Sequence, residues 1–261
     1  MEPRIKIYTR SFDLKLYLCS KGLFEQMGFP CVRLTDKSAD GYFYSMLRDR
    51  ECDIAINVDE DAFITDPEAV VALARKVWEE GYANAGYSDG DPAVTGRDPI
   101  VTNPFFNVIN LSLIRTRFDR SLMVCKYSDR EPYYPFFRWI AENFKTLYLP
   151  ASRHGDGIST IALDDEGHTI CLHSWFSRFY SMPSFVVRRI EPTHGTQKKR
   201  IDALIREAYD IRKLEVPVWN ACSRIRFAAD KTVRWAIKVP QRISRWPYKI
   251  KRKLALSSQN R

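Results

Sequence analysis

In the stretch CDIAINVDEDAFITDPEAV, residues 52–70, three consecutive acids, Asp59, Glu60 and Asp61, stand between two apolar runs. Two aspartates at i and i+2 on a tight loop point their carboxylates at a common volume. That is a hard-oxygen arrangement of the kind Mg²⁺ or Mn²⁺ takes while keeping its other positions for water and substrate phosphates. The competing reading is an acidic turn that caps the next helix. Asp66 and Glu68 already serve that helix start, and Asp59 and Asp61 lie too far upstream to act on its dipole. No Gly-x-x-x-x-Gly-Lys-Ser/Thr, Gly-x-Ser-x-Gly or His-Glu-x-x-His occurs, which removes the usual phosphate-loop, hydrolase and zinc-protease chemistries.

Loop acids act together only where a strand and a helix hold the loop. Ile54, Ile56 and Val58 alternate with small or polar residues, as on a strand, and Ala55 keeps the second face compatible with burial. Asp66 is a natural N-cap and Pro67 fits the first helical position. Val70, Leu73, Ala74, Val77 and Trp78 then form one apolar stripe that stops at Gly81. Upstream, RIKIYTR predicts a first strand, Leu14 to Gly28 a helix, PCVRLT a second strand, and ADGYFYSMLRD a helix opening at Ser38 or Asp40. This alternation predicts an α/β fold with a mostly parallel sheet, where ligands bind beyond the carboxyl ends of the strands.

Downstream, ANAGY reads as a short strand, SDGDPAVTGRDP as a surface excursion and FFNVINLSLIR as the longest strand. A helical period runs through REPYYPFFRWIAENF, and TLYLP leads into a loop holding His154, Gly155, Asp156 and Gly157. HTICLHSWFSRFY carries a strand ending near His173. In KKRIDALIREAYDIRKL, Ile201, Leu204, Ile205, Ala208 and Tyr209 share one face of an amphipathic helix.

With 261 residues and 45% hydrophobic content, the chain can bury a sizeable core without staples. Its six cysteines contain no Cys-x-x-Cys pair, which predicts reduced thiols in a cytosolic setting. MEPRIKIYTR lacks an apolar core and nowhere do 18 apolar residues run together, so we expect neither a signal peptide nor a membrane span. The net charge of +9 is unevenly placed: from Cys222 onward twelve basic residues face one acid, Asp230, which puts +11 in this segment and leaves −2 for the rest. Ile225, Ala229, Val233, Ala236 and Ile237 fall there at helical spacing, Pro240 and Pro247 are expected to break the helix, and Trp235 and Trp246 stand among the cations. Cations interleaved with Trp suit an anionic membrane surface.

The acidic loop and its neighbours resemble the nucleotide-sugar glycosyltransferases of the GT-A fold, of the bacterial polysaccharide or lipid-linked oligosaccharide type. INVDEDAFI is similar to their metal-binding Asp-x-Asp after a buried strand, FFNVINLSLI to the strand that follows it, HGDGIST to an acidic loop near the acceptor, and HSWFSR to a late His-and-Trp segment. The likeness covers roughly residues 4 to 180. It implies Asp59, Asp61 and His173 as ligands of Mn²⁺ or Mg²⁺, Asn107 as a donor-sugar contact, and Asp156 as the acceptor-side carboxylate. Inverting transfer needs a base to take the acceptor hydroxyl's proton, and Asp156 is the candidate; an Asx-turn beside Gly157 is its alternative. For His173 the alternative is a hydrogen-bonded structural histidine. Arg178 suits a diphosphate, Trp175 offers an apolar face to a pyranose ring, and Arg10 and Ser11, at the end of the first strand, fall to the nucleotide.

These readings predict an α/β, GT-A-like, mostly parallel sheet flanked by helices, with a helical basic C-terminal appendage. The expected segments are a catalytic domain at 1–190, an amphipathic extension at 191–221 and a basic aromatic tail at 222–261. The expected activity is metal-dependent transfer of a sugar from a nucleotide-sugar donor, UDP-sugar favoured, to a saccharide or lipid-linked acceptor, in polysaccharide biosynthesis at the cytoplasmic face of a membrane. Two alternatives remain: a metal-dependent phosphate-ester hydrolase or nucleotidyltransferase using the same acids, and a nucleic-acid-binding protein acting through the tail. On the first reading no nucleic-acid partner is expected.

Overall fold

The computed structural model describes residues 2–35, 39–123, 133–180 and 197–244. Contacts divide the chain into two units, Met1–Pro217 and Val218–Arg261. The first begins with β1 (Ile5–Arg10), α1 (Leu14–Phe24), β2 (Cys31–Leu34), α2 (Ala39–Arg48), β3 (Ile54–Val58), β4 (Ala62–Ile64) and α3 (Pro67–Glu79). It continues with β5 (Asn84–Ser88), β6 (Thr102–Asn110), α4 (Leu111–Arg115), α5 (Tyr134–Asn143), β7 (Thr146–Leu149), β8 (Ala151–Arg153), β9 (Thr160–Leu163), β10 (Thr169–His173) and α6 (Gln197–Ile211).

Six strands form one sheet in the order β2-β1-β3-β6-β5-β7. Only β6 runs against its neighbours; β1 pairs parallel with β2 and β3, and β5 with β7. This is the helix-flanked, mostly parallel α/β architecture expected from the sequence. The period-2 pattern of β3 explains how both faces are covered. Ile54, Ile56 and Val58 pack with Val70, Leu73 and Val77 of α3, whereas Ala55 faces an aromatic cluster built from Tyr42, Phe43, Phe136 and Phe137. Asp66 caps α3 by accepting from the Ala69 N–H at 2.9 Å, and Asp13 caps α1 through the Lys15 and Leu16 N–H groups.

A second, antiparallel sheet in the order β4-β10-β9-β8 was not foreseen, because β4 and β9 are too short to show a period. FFNVINLSLIR is not one strand: β6 starts earlier, at Thr102, and ends at Asn110, whose side chain accepts from the Leu113 N–H at 3.0 Å and opens α4. Divisions were expected at 190 and 221, yet the chain divides once, at Pro217, and α6 belongs to the first unit. Ile201, Leu204, Ile205, Ala208 and Tyr209 are buried, and the Tyr209 hydroxyl donates to the Cys19 carbonyl at 2.9 Å. Of the two helix starts considered before β3, Ser38 lies outside the described residues and Asp40 falls within α2. The five described cysteines are unpaired; Cys125 lies outside the described residues.

Gly86 of β5 lies opposite Asn107 of β6, and a Cβ there would sit 2.3 Å from the Asn107 Nδ2. Gly86→Ala is therefore expected to lose about 1–3 kcal/mol in chemical denaturation, with part recovered in Gly86→Ala/Asn107→Ala. An undiminished midpoint in the single variant would contradict this packing.

The second unit contains α7 (Ala221–Ser244), in which the Asn220 side chain accepts from the Ser223 N–H at 2.9 Å. The helix continues through Pro240, where a break was expected. Ile225 and Val233 are exposed on it. The Trp235 side chain, Trp246, Pro247 and the cations from Arg245 onward lie outside the described residues. Among the described residues no helix is long and apolar enough to cross a membrane.

Candidate functional site

The acids leave β3 after Val58, and β4 begins directly at Ala62, so the loop has no slack. Antiparallel pairing sets Ala62 against His173, Phe63 against Leu172 and Ile64 against Cys171. This register places the His173 Nε2 3.5 Å from the Asp61 Oδ1, and the Ser174 N–H donates to the Asp61 carbonyl at 2.9 Å. From the other side, parallel pairing of β1 with β3 carries Arg10 to the same strand end, where its Nη2 donates to the Asp59 Oδ2 at 2.9 Å. Segments distant in sequence thus meet at the carboxyl ends of β1 and β3. They line a cleft of roughly 310 Å³ with Arg10, Asp59, Asp61, His173, Trp175 and Arg178 in its walls.

All three acids are buried. Burial pushes the Asp59 carboxyl up to about 6, with Arg10 opposing and Asp61 adding to the rise. Asp61 falls below its ordinary value: burial works against its ionisation, but His173 and Arg10 outweigh it. Glu60, the middle acid, points away from the cleft lining. Its Oε2 accepts the Phe12 and Asp13 N–H groups, both at 2.7 Å, and so ties the acidic loop to the start of α1. Burial pushes its carboxyl up to about 8, although the Asp13 N–H and the Ser11 hydroxyl favour the ionised form.

Two buried atoms here lack a hydrogen-bond partner, the Asp59 Oδ1 and the His173 Nδ1. A buried polar atom without a partner is costly, so each marks a place where a ligand would satisfy the protein. Among the described residues no three His, Cys, Asp or Glu side chains converge as a ready metal shell. The expected set of Asp59, Asp61 and His173 is therefore not assembled as one, since the second Asp59 oxygen is held by Arg10. The donors fit a Mg²⁺-like ion, which needs only one or two carboxylates and leaves its other positions to water and phosphate.

Three expected residues stand elsewhere. Ser11 is fully buried outside the cleft lining and accepts from the Arg33 Nε at 3.0 Å. Asn107 lies inside the sheet, with its Oδ1 3.3 Å from the Asn57 Nδ2, and has no access to a donor sugar. Because β6 runs antiparallel, its first residues reach the cleft, and Asn103 lines the wall where Asn107 was expected. The missed wall also includes Phe12, Thr95, Arg97 and Tyr133, several of them in segments read as surface loop. Behind it lies Asp89, fully buried, which accepts from the Asn103 Nδ2 at 2.6 Å and from the hydroxyls of Tyr133 and Tyr134. A carboxylate in SDGDP reads as turn chemistry, so nothing local distinguished it.

Asp156 is the third, and its proposed role as base is corrected. It does not line the cleft, and it accepts from the N–H groups of Ile158 at 2.9 Å and Ser159 at 2.7 Å, from the Ser159 hydroxyl at 2.6 Å and from Arg200 of α6 at 3.3 Å. Burial opposes its ionisation, but these Ser159, Ile158 and Arg200 donors outweigh it and hold the carboxyl well below the ordinary range, which makes it a poor proton acceptor. Arg200 also donates to the Trp175 carbonyl at 3.2 Å, so the pair fixes one edge of the site. Asp156→Asn is expected to cost about 1.5–3 kcal/mol at neutral pH. A depressed carboxyl contributes stability that is fully present above its unfolded value and is lost as pH falls toward its folded one, so the gap in urea midpoints between wild type and variant should narrow steadily as pH drops below about 4. A constant gap down to pH 2 would exclude the charge as the cause.

Trp175 and Phe176 have φ of 59° and 60°, a left-handed conformation that costs bulky side chains about 1–3 kcal/mol each. The Trp175 Nε1 donates to the Thr160 hydroxyl at 2.9 Å, and its ring packs 4.2 Å from His173, which itself stacks on Phe105 at 4.4 Å. Strained backbone held this firmly beside the acids keeps the Trp175 ring in the cleft wall. Arg178, in the 3-10 turn Ser177–Phe179, is exposed and forms no ion pair among the described residues.

No protein-family model and no curated protein matches the chain. Among solved structures, the A197 protein from STIV is similar at 14% identity and a TM-score of 0.40, covering 64% of this chain and 93% of its own. A glycosyltransferase involved in glycosylation of the major capsid of PBCV-1 is similar at 9% identity and 0.39, over 56% and 82%. A cytidylyltransferase from Leptospira borgpetersenii serovar Hardjo-bovis is similar at 12% and 0.38, over 84% and 100%. At these values the likeness carries nothing about activity.

Proposed function

We propose that the first unit is a metal-dependent glycosyltransferase that moves a sugar from a nucleotide-sugar donor, a UDP-sugar by preference, to a saccharide or lipid-linked acceptor. One observation carries this reading: Asp59 and Asp61 lie in a cleft wall at the carboxyl end of β3, with Arg10, His173, Trp175 and Arg178 around them. Asp61 and the partnerless oxygen of Asp59 would hold Mn²⁺ or Mg²⁺, which when bound supplies positive charge to a departing diphosphate. His173 is close enough to orient Asp61. Arg178 offers paired donors to phosphate oxygens, and Trp175 presents an aromatic wall to a pyranose ring. Arg10 holds the other Asp59 oxygen and faces the nucleotide from the end of β1.

The second unit supplies an address rather than chemistry. α7 carries exposed cations with Ile225 and Val233 exposed among them, which suits the anionic cytoplasmic face of a membrane. The test is a thermal-unfolding screen of the full chain against nucleotide sugars, with and without Mn²⁺. A raised midpoint with one UDP-sugar that requires Mn²⁺, followed by turnover of that donor, supports the reading. Stabilisation by oligonucleotides and by no nucleotide sugar would replace it with the nucleic-acid reading.

A further inference from the structure

The chain has a second concentration of charge, at the other end of the sheet. α2 ends at Arg48 before β3 begins, and α4 ends at Arg115 after antiparallel β6 has left the carboxylate cleft, so both termini lie at the opposite edge. Between them opens a recess of roughly 380 Å³ lined by Arg48, Arg50, Arg115 and Arg120 together with Tyr44 and Phe118. Arg115 is committed to the fold. Its Nε donates to the Leu47 carbonyl and its Nη1 to the Cys52 carbonyl, both at 2.8 Å, and its Nη2 donates to the carbonyls of Met46 and Asp49. It closes the end of α2 and makes a rigid floor.

The other three arginines are uncommitted. Among the described residues none of Arg48, Arg50 and Arg120 takes part in an ion pair, and the acids nearest to Arg48 and Arg50 in sequence are already held elsewhere. Asp49 pairs with Lys6 at 2.8 Å, Glu51 with Lys6 at 3.6 Å, and Asp53 with Arg4 at 2.9 Å. Tyr44 aims two of the three: its ring centroid lies 5.9 Å from the Arg48 Cζ and 4.9 Å from the Arg120 Cζ, and its own ring is backed by Phe118 at 6.4 Å. Guanidinium groups gathered round one recess repel each other, and an oxyanion between them reverses that energy while accepting paired N–H donors.

We propose that Arg48, Arg50 and Arg120 form an anion site for a phosphate or phosphate ester, separate from the carboxylate cleft. It does not depend on the proposed transfer reaction. The shared chemistry is the phosphate group, carried either by a soluble molecule or by a phospholipid headgroup.

The test uses the full chain as wild type, Arg48→Gln/Arg120→Gln and, to control for phosphate held in the cleft, Arg178→Gln. Inorganic pyrophosphate without divalent metal is titrated by calorimetry, and hydrogen exchange locates the protection. In wild type and in Arg178→Gln, pyrophosphate is expected to protect the segments 44–50 and 115–120. The double variant is expected to lose that protection and at least about tenfold in affinity for this site, the scale of two charge-assisted donors. A parallel arm measures sedimentation with phosphatidylglycerol and with phosphatidylcholine vesicles, the basic tail being common to all variants. A drop in phosphatidylglycerol binding in the double variant assigns the site to a headgroup; unchanged vesicle binding with lost pyrophosphate binding assigns it to a soluble phosphate. Equal pyrophosphate affinity in wild type and double variant, or protection confined to the carboxylate cleft, overturns the proposal.

Discussion

Asp61→Asn is expected to reduce sugar transfer by at least about 100-fold and to abolish Mn²⁺-dependent protection by the donor, while the protein stays folded. The size follows from removing one preorganised charged group from the place where charge develops, which costs about 10² to 10³ in turnover. The fold should survive because Asn keeps the shape of a side chain that is only 5% exposed. The substitution loses attraction to His173 and Arg10, but it also relieves the repulsion by which Asp61 raises the Asp59 carboxyl. Circular dichroism and the melting midpoint check the fold, and a donor-dependent thermal shift with and without Mn²⁺ checks the site. Full activity in this variant would return Asp59, Glu60 and Asp61 to the acidic-turn reading.

Truncation before Val218 is expected to abolish sedimentation with anionic vesicles and leave donor binding intact. The boundary between units falls there, and every residue assigned to the cleft lies before it. The deleted segment contains all twelve cations after Cys222, each contributing about 1 kcal/mol near an anionic surface. Full-length protein should leave the vesicles only in part as salt rises, because salt screens the cations but not the burial of Ile225 and Val233. Tight binding to duplex DNA at the same salt, without vesicle binding, would sink the anchor and favour a nucleic-acid partner. Lost donor binding in the truncated chain would place part of the donor site beyond Pro217.

The acidic loop was legible because its supports are local. Alternation in Ile54, Ile56 and Val58 marks a strand, and Asp66 with Pro67 marks the next helix within four residues of its start. Those signals suffice to put Asp59 and Asp61 at the carboxyl end of a strand in an α/β sheet, and the face of α6 was likewise readable from its spacing. The partners of the acids were expected nearby, but their geometry was not available. Arg10 and His173 meet the loop through the register of β1 with β3 and of β10 with β4, and register is a property of two distant segments. Strand direction decided that Asn103 faces the cleft and Asn107 the interior, because nothing within FFNVIN says which end of β6 points outward. Asp156 looked reachable between two glycines until α6 returned to it with Arg200, so that a free carboxylate became a half-buried, fully engaged one. Periodicity and capping act over a few residues, so the residues that could do chemistry and the elements that carry them were readable along the chain. Which of those residues share one cleft was decided by tertiary pairing alone, because direction and register are set by energies summed over strands far apart in the chain.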